Sequence, residues 1–186
     1  MREIEVKLRV NNLEELEQQL KDVGLTISKE IVQHDVIYSN ANDTHSFIES
    51  YEGCNILRIR NENGVSIMNL KQQRSGEMDN IEYETEVKDG DAMHNILLLL
   101  GWKPEVEVKK VRKKGKLGGY EICLDRVEQL GDFVELEKLT DENVDPEKVR
   151  DELFKELEKF GLKREQEETK GYDTQIYLLN KNRTTL

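Results

Sequence analysis

Residues 1–10 read Met-Arg-Glu-Ile-Glu-Val-Lys-Leu-Arg-Val, and their alternation decides the fold. Ile4, Val6, Leu8 and Val10 fall on one side, and Glu3, Glu5, Lys7 and Arg9 on the other. Successive side chains of a strand face opposite ways, so this is a half-buried strand with one fully ionised face. Charged residues are almost never buried unless paired, so the plain reading puts that face in water. The alternative is that other strands carry matching charges and turn this face into the wall of a binding site.

The composition sets limits on that choice. The chain has 186 residues, enough for one domain with a sizeable core. Hydrophobic and charged residues each make up 36%, which implies either a very ionic surface or an ionic interior site. A net charge of −11 argues against binding nucleic acid through a broad basic face. The first ten residues hold no signal-peptide apolar region, and the longest apolar run, Ile96 to Leu100, is too short to cross a bilayer. Cys54 and Cys123 are far apart and form no Cys-x-x-Cys motif, which suits a reducing cytoplasm. His34, His45 and His94 lack metal-ligand spacing, so a metal here would be held by carboxylates, which favours magnesium or manganese over zinc.

Further strands repeat the pattern of the first. Asn12 caps a helix carrying Leu13, Leu16, Leu20 and Val23, closed by Gly24. Leu25 to Tyr38 reads as extended, and Ser39 to Gly53 as a polar loop. Cys54 to Ile59 delivers Arg58 and Arg60 to one face, Asn61-Glu62-Asn63-Gly64 turns the chain, and Val65 to Gln73 returns with Ile67, Asn69 and Lys71 together. Ser75 to Asn80 reads as a flexible turn. Ile81 to Lys88 puts Glu82, Glu84 and Glu86 on one face. A helix over Asp91 to Leu100 packs Met93, Ile96, Leu97 and Leu100 inward. Trp102 to Lys114 aligns Val106, Val108, Lys110 and Arg112, Tyr120 to Val127 aligns Glu121, Cys123 and Asp125, and the strand from Gly131 aligns Phe133, Glu135 and Glu137. Asp145-Pro146 starts a helix with Val149, Leu153, Leu157 and Phe160, and a short helix follows near Thr174 to Leu179. A loose internal echo relates Glu3/Glu5, a helix and Arg58/Arg60 to Glu82/Glu84, a helix and Lys110/Arg112.

Seven or more strands thus have one ionised and one aliphatic face. About eight strands close into a barrel wide enough for side chains or one small ligand. If the ionic faces point inward, bare charges there are costly unless a polyanion and its metal ions neutralise them. Periodicity alone gives two faces and leaves open which one is inside.

These residues resemble the CYTH family, the triphosphate tunnel metalloenzymes. Its Glu-x-Glu-x-Lys hallmark is matched by Glu3-Ile4-Glu5-Val6-Lys7. Gln33 to Tyr38 is similar to its Gln-x-Asp-x-Tyr segment, Leu57-Arg58-Ile59-Arg60 to its Leu-Arg-Ile-Arg strand, and Val108 to Arg112 to its Val-x-Lys-x-Arg run. Leu124-Asp125, Leu130-Gly131 and Phe133 to Glu137 match the run that follows. Ile67-Met68-Asn69-Leu70 departs from the Thr-Tyr common before the hairpin lysine, here Lys71, and the Ser39 to Gly53 loop offers no base-binding residue. The resemblance implies an α+β fold: a closed antiparallel barrel tunnel with helices outside, one domain over residues 1–179 and a tail over 180–186. It implies a triphosphate substrate such as ATP with Mg2+ or Mn2+, no nucleic-acid or membrane partner, and leaves a homodimer open. The implied metal ligands are Glu3, Glu5, Asp125, Glu135 and Glu137. The implied phosphate clamps are Lys7, Arg58, Arg60, Lys71, Lys110 and Arg112, with Lys110 and Asp125 as catalytic candidates. A class IV adenylyl cyclase leads, in which the ribose 3′-hydroxyl attacks the α-phosphorus of ATP. A triphosphatase of inorganic, thiamine or nucleoside triphosphate is the second reading, and a non-catalytic polyphosphate- or nucleotide-binding module the third. Arg9 and Glu86 are read equally as structural pair-makers or ligand contacts, Glu121 as a rim or outer residue, and Cys123, Trp102, Phe133 and Tyr177 as packing residues.

Overall fold

The computed structural model describes residues 2–42 and 45–184. Met1 of the expected first strand, Asp43 and Thr44 of the polar loop, and Thr185 and Leu186 of the tail lie outside the described residues. The strands are β1 (Arg2–Arg9), β2 (Ile31–Asn40), β3 (Asn55–Glu62), β4 (Val65–Gly76), β5 (Asp79–Val87), β6 (Trp102–Leu117), β7 (Tyr120–Val127) and β8 (Gly131–Thr140). They close into a barrel in the order β1-β5-β4-β3-β2-β6-β7-β8, with every neighbouring pair antiparallel. Four helices lie outside: α1 (Leu13–Asp22), α2 (Gly90–Leu99), α3 (Pro146–Glu158) and α4 (Tyr172–Thr184).

Local chemistry sets the boundaries. The Asn12 side chain accepts from the Glu15 amide at 3.1 Å and Asp145 accepts from Glu147 at 3.1 Å, each satisfying an orphan donor at a helix start. Asn63 and Gly64 both take positive φ, the requirement of a two-residue turn whose twist matches the strands it joins. Three expectations shift. The flexible Ser75 to Asn80 turn is tighter, because β4 and β5 stay paired up to Gly76 and Asp79. Strand β6 runs on through Gly115 to Leu117, pairing with Tyr120, so the turn is Gly118-Gly119 alone. The last helix is longer than Thr174 to Leu179.

The aliphatic faces point outward beneath the helices. Ile4, Val6 and Leu8 of β1, Ile122 and Leu124 of β7, and Val134 and Leu136 of β8 form one buried cluster with Leu16 and Leu20 of α1 and Val149, Leu153 and Leu157 of α3. Helix α4 lays Tyr172 and Ile176 against Ile37, Val108, Val127 and Phe133. Helix α2 contributes Leu97 to a small cluster with Tyr38 and Ile59. Ile96 and Leu100, expected to pack inward, are 47% and 67% exposed, because this helix rests on the barrel through its Met93–Leu97 edge.

Exchanging β1 with β5, β2 with β6, β3 with β7 and β4 with β8 leaves the circular order unchanged, so the barrel has pseudo-twofold connectivity. That supports the β1/β5 half of the internal echo. It corrects the other half, since the strand equivalent to β6 is β2, not the β3 strand that carries Arg58 and Arg60.

Leu153 is wholly buried where α3 meets β1 and β8. Leu153→Ala should cost about 2–5 kcal/mol through lost burial and the cavity left behind, read as a lowered urea midpoint at unchanged slope. A loss below about 0.5 kcal/mol would show that α3 is not part of the barrel's outer core.

Candidate active site

The ionised faces enclose one cavity of about 450 Å³. Glu3, Glu5 and Lys7 of β1 meet Arg58 and Arg60 of β3, Lys71 of β4, Glu82 and Glu84 of β5, Lys110, Arg112 and Lys114 of β6, Glu121 of β7, and Glu135 and Glu137 of β8. Every expected site residue except Asp125 lines this cavity, and Asp125 is buried directly behind it, bonded to Lys110 and Arg112. Glu86 and Arg9 lie outside the lining, and Glu121, read as a rim or outer residue, is a half-buried member of it at the open end.

The cavity has a closed end and a rim. Ile37, Ile56, Val108 and Tyr172 line one end and belong to the apolar cluster beneath α4. Toward the other end the lining residues open to solvent: Glu84 is exposed and Leu139 is 59% exposed. The cations between them are deep, with Lys7 only 1% and Lys110 6% exposed.

Each deep cation already has a partner. Arg60 forms a bidentate pair with Asp35, both bonds at 2.7 Å, and Arg58 stands 3.5 Å from the same carboxylate. Arg112 donates to Asp125 at 2.7 Å and also to Glu135. Lys110 donates to Asp125 at 3.2 Å, and Lys71 pairs with Glu82. Lys7 donates at 2.5 Å to the Lys170 carbonyl and sits 4.5 Å from the Tyr172 ring centre. Such pairing is what makes buried charge tolerable. Against the cost of burial, Arg58 and Arg60 hold Asp35 well below the usual carboxylate range. Arg112 and Lys110 do the same for Asp125.

The carboxylates on the facing wall behave oppositely. Ligand oxygens of Glu3, Glu5 and Glu137 lie within 4.8 Å of one another. Burial, then Glu137, pushes Glu3 up to about 9, and burial with Glu135 pushes Glu5 up to about 8. Burial raises Glu137 as well. Ten acidic and seven basic side chains line the cavity, so a triphosphate meets an acidic excess there only when all the carboxylates are ionised. Three converging carboxylates held toward their protonated forms fit a hard divalent cation of the magnesium or manganese type. Of the five expected ligands, Glu3, Glu5 and Glu137 form this group. Glu135 accepts from Arg112, and the Asp125 oxygens accept from Arg112, Lys110 and the Tyr172 hydroxyl, the last at 3.1 Å. Glu121, Cys123 and Glu137 form a second converging group, but Lys114 already stands 2.7 Å from Glu121. Burial drives the Cys123 thiol far up, so it stays protonated, in keeping with a packing role.

Two residues of the site went unassigned in the sequence. Asp35 was only part of a matched segment, and its neutralising of Arg60 and Arg58 depends on β2–β3 register. Tyr172 reaches the cavity from α4 and has Lys7 and Lys110 at 4.5 and 4.9 Å from its ring centre, a cation–π arrangement. Its sequence neighbourhood, Lys170-Gly171-Tyr172-Asp173, has no strand alternation to flag it.

A family model for the CYTH domain matches residues 1–172. A protein of Methanocaldococcus jannaschii, provisionally named an adenylate cyclase, is 32% identical over 174 residues, covering 92% of this chain and 97% of the relative. The structure of PH1012 from Pyrococcus horikoshii is 30% identical with a TM-score of 0.76, covering 91% of this chain and 96% of that one. A Hippeastrum protein provisionally named an adenylyl cyclase, whose structure is described as revealing a dominant triphosphatase activity, aligns over 91% of this chain and 90% of its own with a TM-score of 0.58. At 19% identity that likeness is one of fold.

The raised carboxylates give a pH signature. Without metal, Glu3 and Glu5 keep their protons to about pH 9 and 8 in the folded state, whereas the unfolded chain releases them near 4.5. Between those limits the folded state binds more protons, so stability falls as pH rises. Thermal unfolding of chelator-treated protein should show Tm dropping from pH 6 to 9. Millimolar manganese should restore it, by a margin that widens with pH as the metal displaces those protons. A metal effect independent of pH would contradict the assignment.

Proposed function

The chain belongs to the CYTH family, and from that premise we propose that it binds ATP with divalent cations in the barrel and cyclises it to cyclic AMP and pyrophosphate. The observation that carries this reading is the single cavity in which deep cations face a group of three carboxylates. Glu3, Glu5 and Glu137 would hold the metal, with Glu135 and Asp125 as further candidates. When bound, a divalent cation offsets phosphate charge and draws electron density from the phosphorus–oxygen bonds.

The chain's own residues do the rest. Lys7, Arg58, Arg60, Lys71, Lys110 and Arg112 clamp the phosphates and stabilise the charge that builds on equatorial and leaving oxygens. They do so without reorganising, because their carboxylate partners hold them in place beforehand. Lys110 is the general base. Burial, with Arg112 beside it, lowers its pKa, so its amine takes the proton of the ribose 3′-hydroxyl more readily. The 3′-oxygen then bonds to the α-phosphorus, the bond from that phosphorus to the β-phosphate oxygen breaks, and pyrophosphate leaves. The apolar end beneath α4 keeps bulk water from the phosphates.

The name of the Methanocaldococcus relative supports cyclisation. The activity described for the Hippeastrum protein favours a second reading, in which the same clamp serves hydrolysis of a triphosphate. Incubation with ATP, and separately with inorganic triphosphate, in magnesium or manganese distinguishes them. Cyclic AMP plus pyrophosphate is the expected outcome, and orthophosphate without cyclic AMP would replace it with the triphosphatase. Glu5→Gln and Glu137→Gln should each abolish metal-dependent turnover while leaving the circular-dichroism spectrum unchanged. Full activity in both would contradict the ligand assignment.

A further inference from the structure

Among the uncharged polar residues that line the cavity, Asn69 has a buried atom left without a partner. It lines the cavity wall on β4 and is 1% exposed. Its amide nitrogen donates to Glu82 at 3.2 Å, which fixes which end of the carboxamide faces where. Its carbonyl Oδ1 has no hydrogen-bond partner. An unmade hydrogen bond at a buried polar atom costs free energy, so this oxygen is poised for something that enters the cavity. Phosphate oxygens are acceptors and cannot satisfy it. The partner must bring a donor.

Position narrows what the donor is. Across the strands Asn69 stands in register with Arg58 on one side and Glu84 on the other. Arg58 is a half-buried cation beside Asp35, and Glu84 is exposed at the rim. Asn69 therefore stands between a cation of the clamp and the exposed wall of the mouth. A triphosphate ester held among the cations can turn a sugar hydroxyl toward this level.

We propose that Asn69 is a specificity-determining residue whose carbonyl accepts a hydrogen bond from a sugar hydroxyl of a nucleoside triphosphate. The inference rests on the triphosphate reading and adds to it the residue that selects a hydroxyl-bearing ester over inorganic triphosphate. A site that hydrogen-bonds a substrate hydroxyl rejects the analogue lacking it, because the buried acceptor is then left unpaired.

Calorimetric titration with non-cleavable, methylene-bridged analogues of ATP, 2′-deoxy-ATP, 3′-deoxy-ATP and inorganic triphosphate, in manganese, tests this. In the unsubstituted protein, loss of one of the two hydroxyls should weaken binding about tenfold. Asn69→Leu should weaken the ATP analogue by about the same factor, erase the gap between it and that deoxy analogue, and leave inorganic triphosphate within about twofold. Asn69→Asp, which keeps an acceptor in place, should preserve the gap even if all four bind more weakly. The proposal is overturned if the unsubstituted protein shows no gap. It is also overturned if Asn69→Leu weakens the ATP and inorganic analogues equally, which would make Asn69 a mere support for Glu82. Binding of none of the four would overturn the triphosphate reading itself, and this inference with it.

Discussion

The structure depends on one constraint: ionised side chains turned into a closed barrel must find opposite charge there. The outer faces of β1, β7 and β8 are apolar and covered by α1 and α3, so the alternate residues have nowhere to go but inward. Most of that charge is settled by cross-strand pairs such as Arg60 with Asp35 and Arg112 with Asp125. What the protein does not settle internally is the carboxylate group of Glu3, Glu5 and Glu137. Burial first, and neighbouring carboxylates second, hold its pKa values up. A metal ion suits this carboxylate group and a polyanion suits the cations that face it, so the two kinds of charge fit one ligand pair.

The same arrangement gives the cavity a direction. Helix α4 seals one end with Tyr172, whose ring faces Lys7 and Lys110 and whose hydroxyl donates to Asp125. The hairpin between β4 and β5 holds that helix in place: Glu77 accepts from the Gly171 amide at 2.6 Å and from the Thr174 hydroxyl at 3.0 Å. The open end carries Glu84 and Leu139, which are exposed, and Glu121 and Lys114, which are half-buried. A ligand thus meets a mixed, wet rim first and a dry, cationic depth last, which suits a molecule with one organic and one polyanionic end.

Much of this was legible in the sequence because strands with a period of two leave no ambiguity about which residues share a face. Glu3, Glu5 and Lys7, or Glu135 and Glu137, had to point one way together. That the shared side is the inside followed from the family resemblance; the alternation by itself was equally consistent with a wet outer face. Partnerships across strands were illegible, because they depend on register: Asp35 with Arg60, or Asp125 with Arg112, are neighbours only after pairing is known. Asn69 was visible as a departure from the common pattern, yet its orphaned carbonyl could be seen only with Glu82 in place. Tyr172 was hidden for a different reason. It comes from a helix whose apolar residues, Tyr172 and Ile176, meet the end of the barrel and not its side. Helix α2 misled in the opposite sense, since its apolar run suggested a fully packed stripe where only Leu97 is deeply buried.

The central claim is that one enclosed site holds the metal and the triphosphate together. The most direct measurement is anomalous diffraction from crystals grown with Mn2+ and a non-cleavable triphosphate. The account predicts a manganese peak among Glu3, Glu5 and Glu137, with phosphate density running from it to Arg58 and Lys110. Manganese or phosphate bound outside the barrel, with the cavity holding only water under saturating ligand, would contradict it.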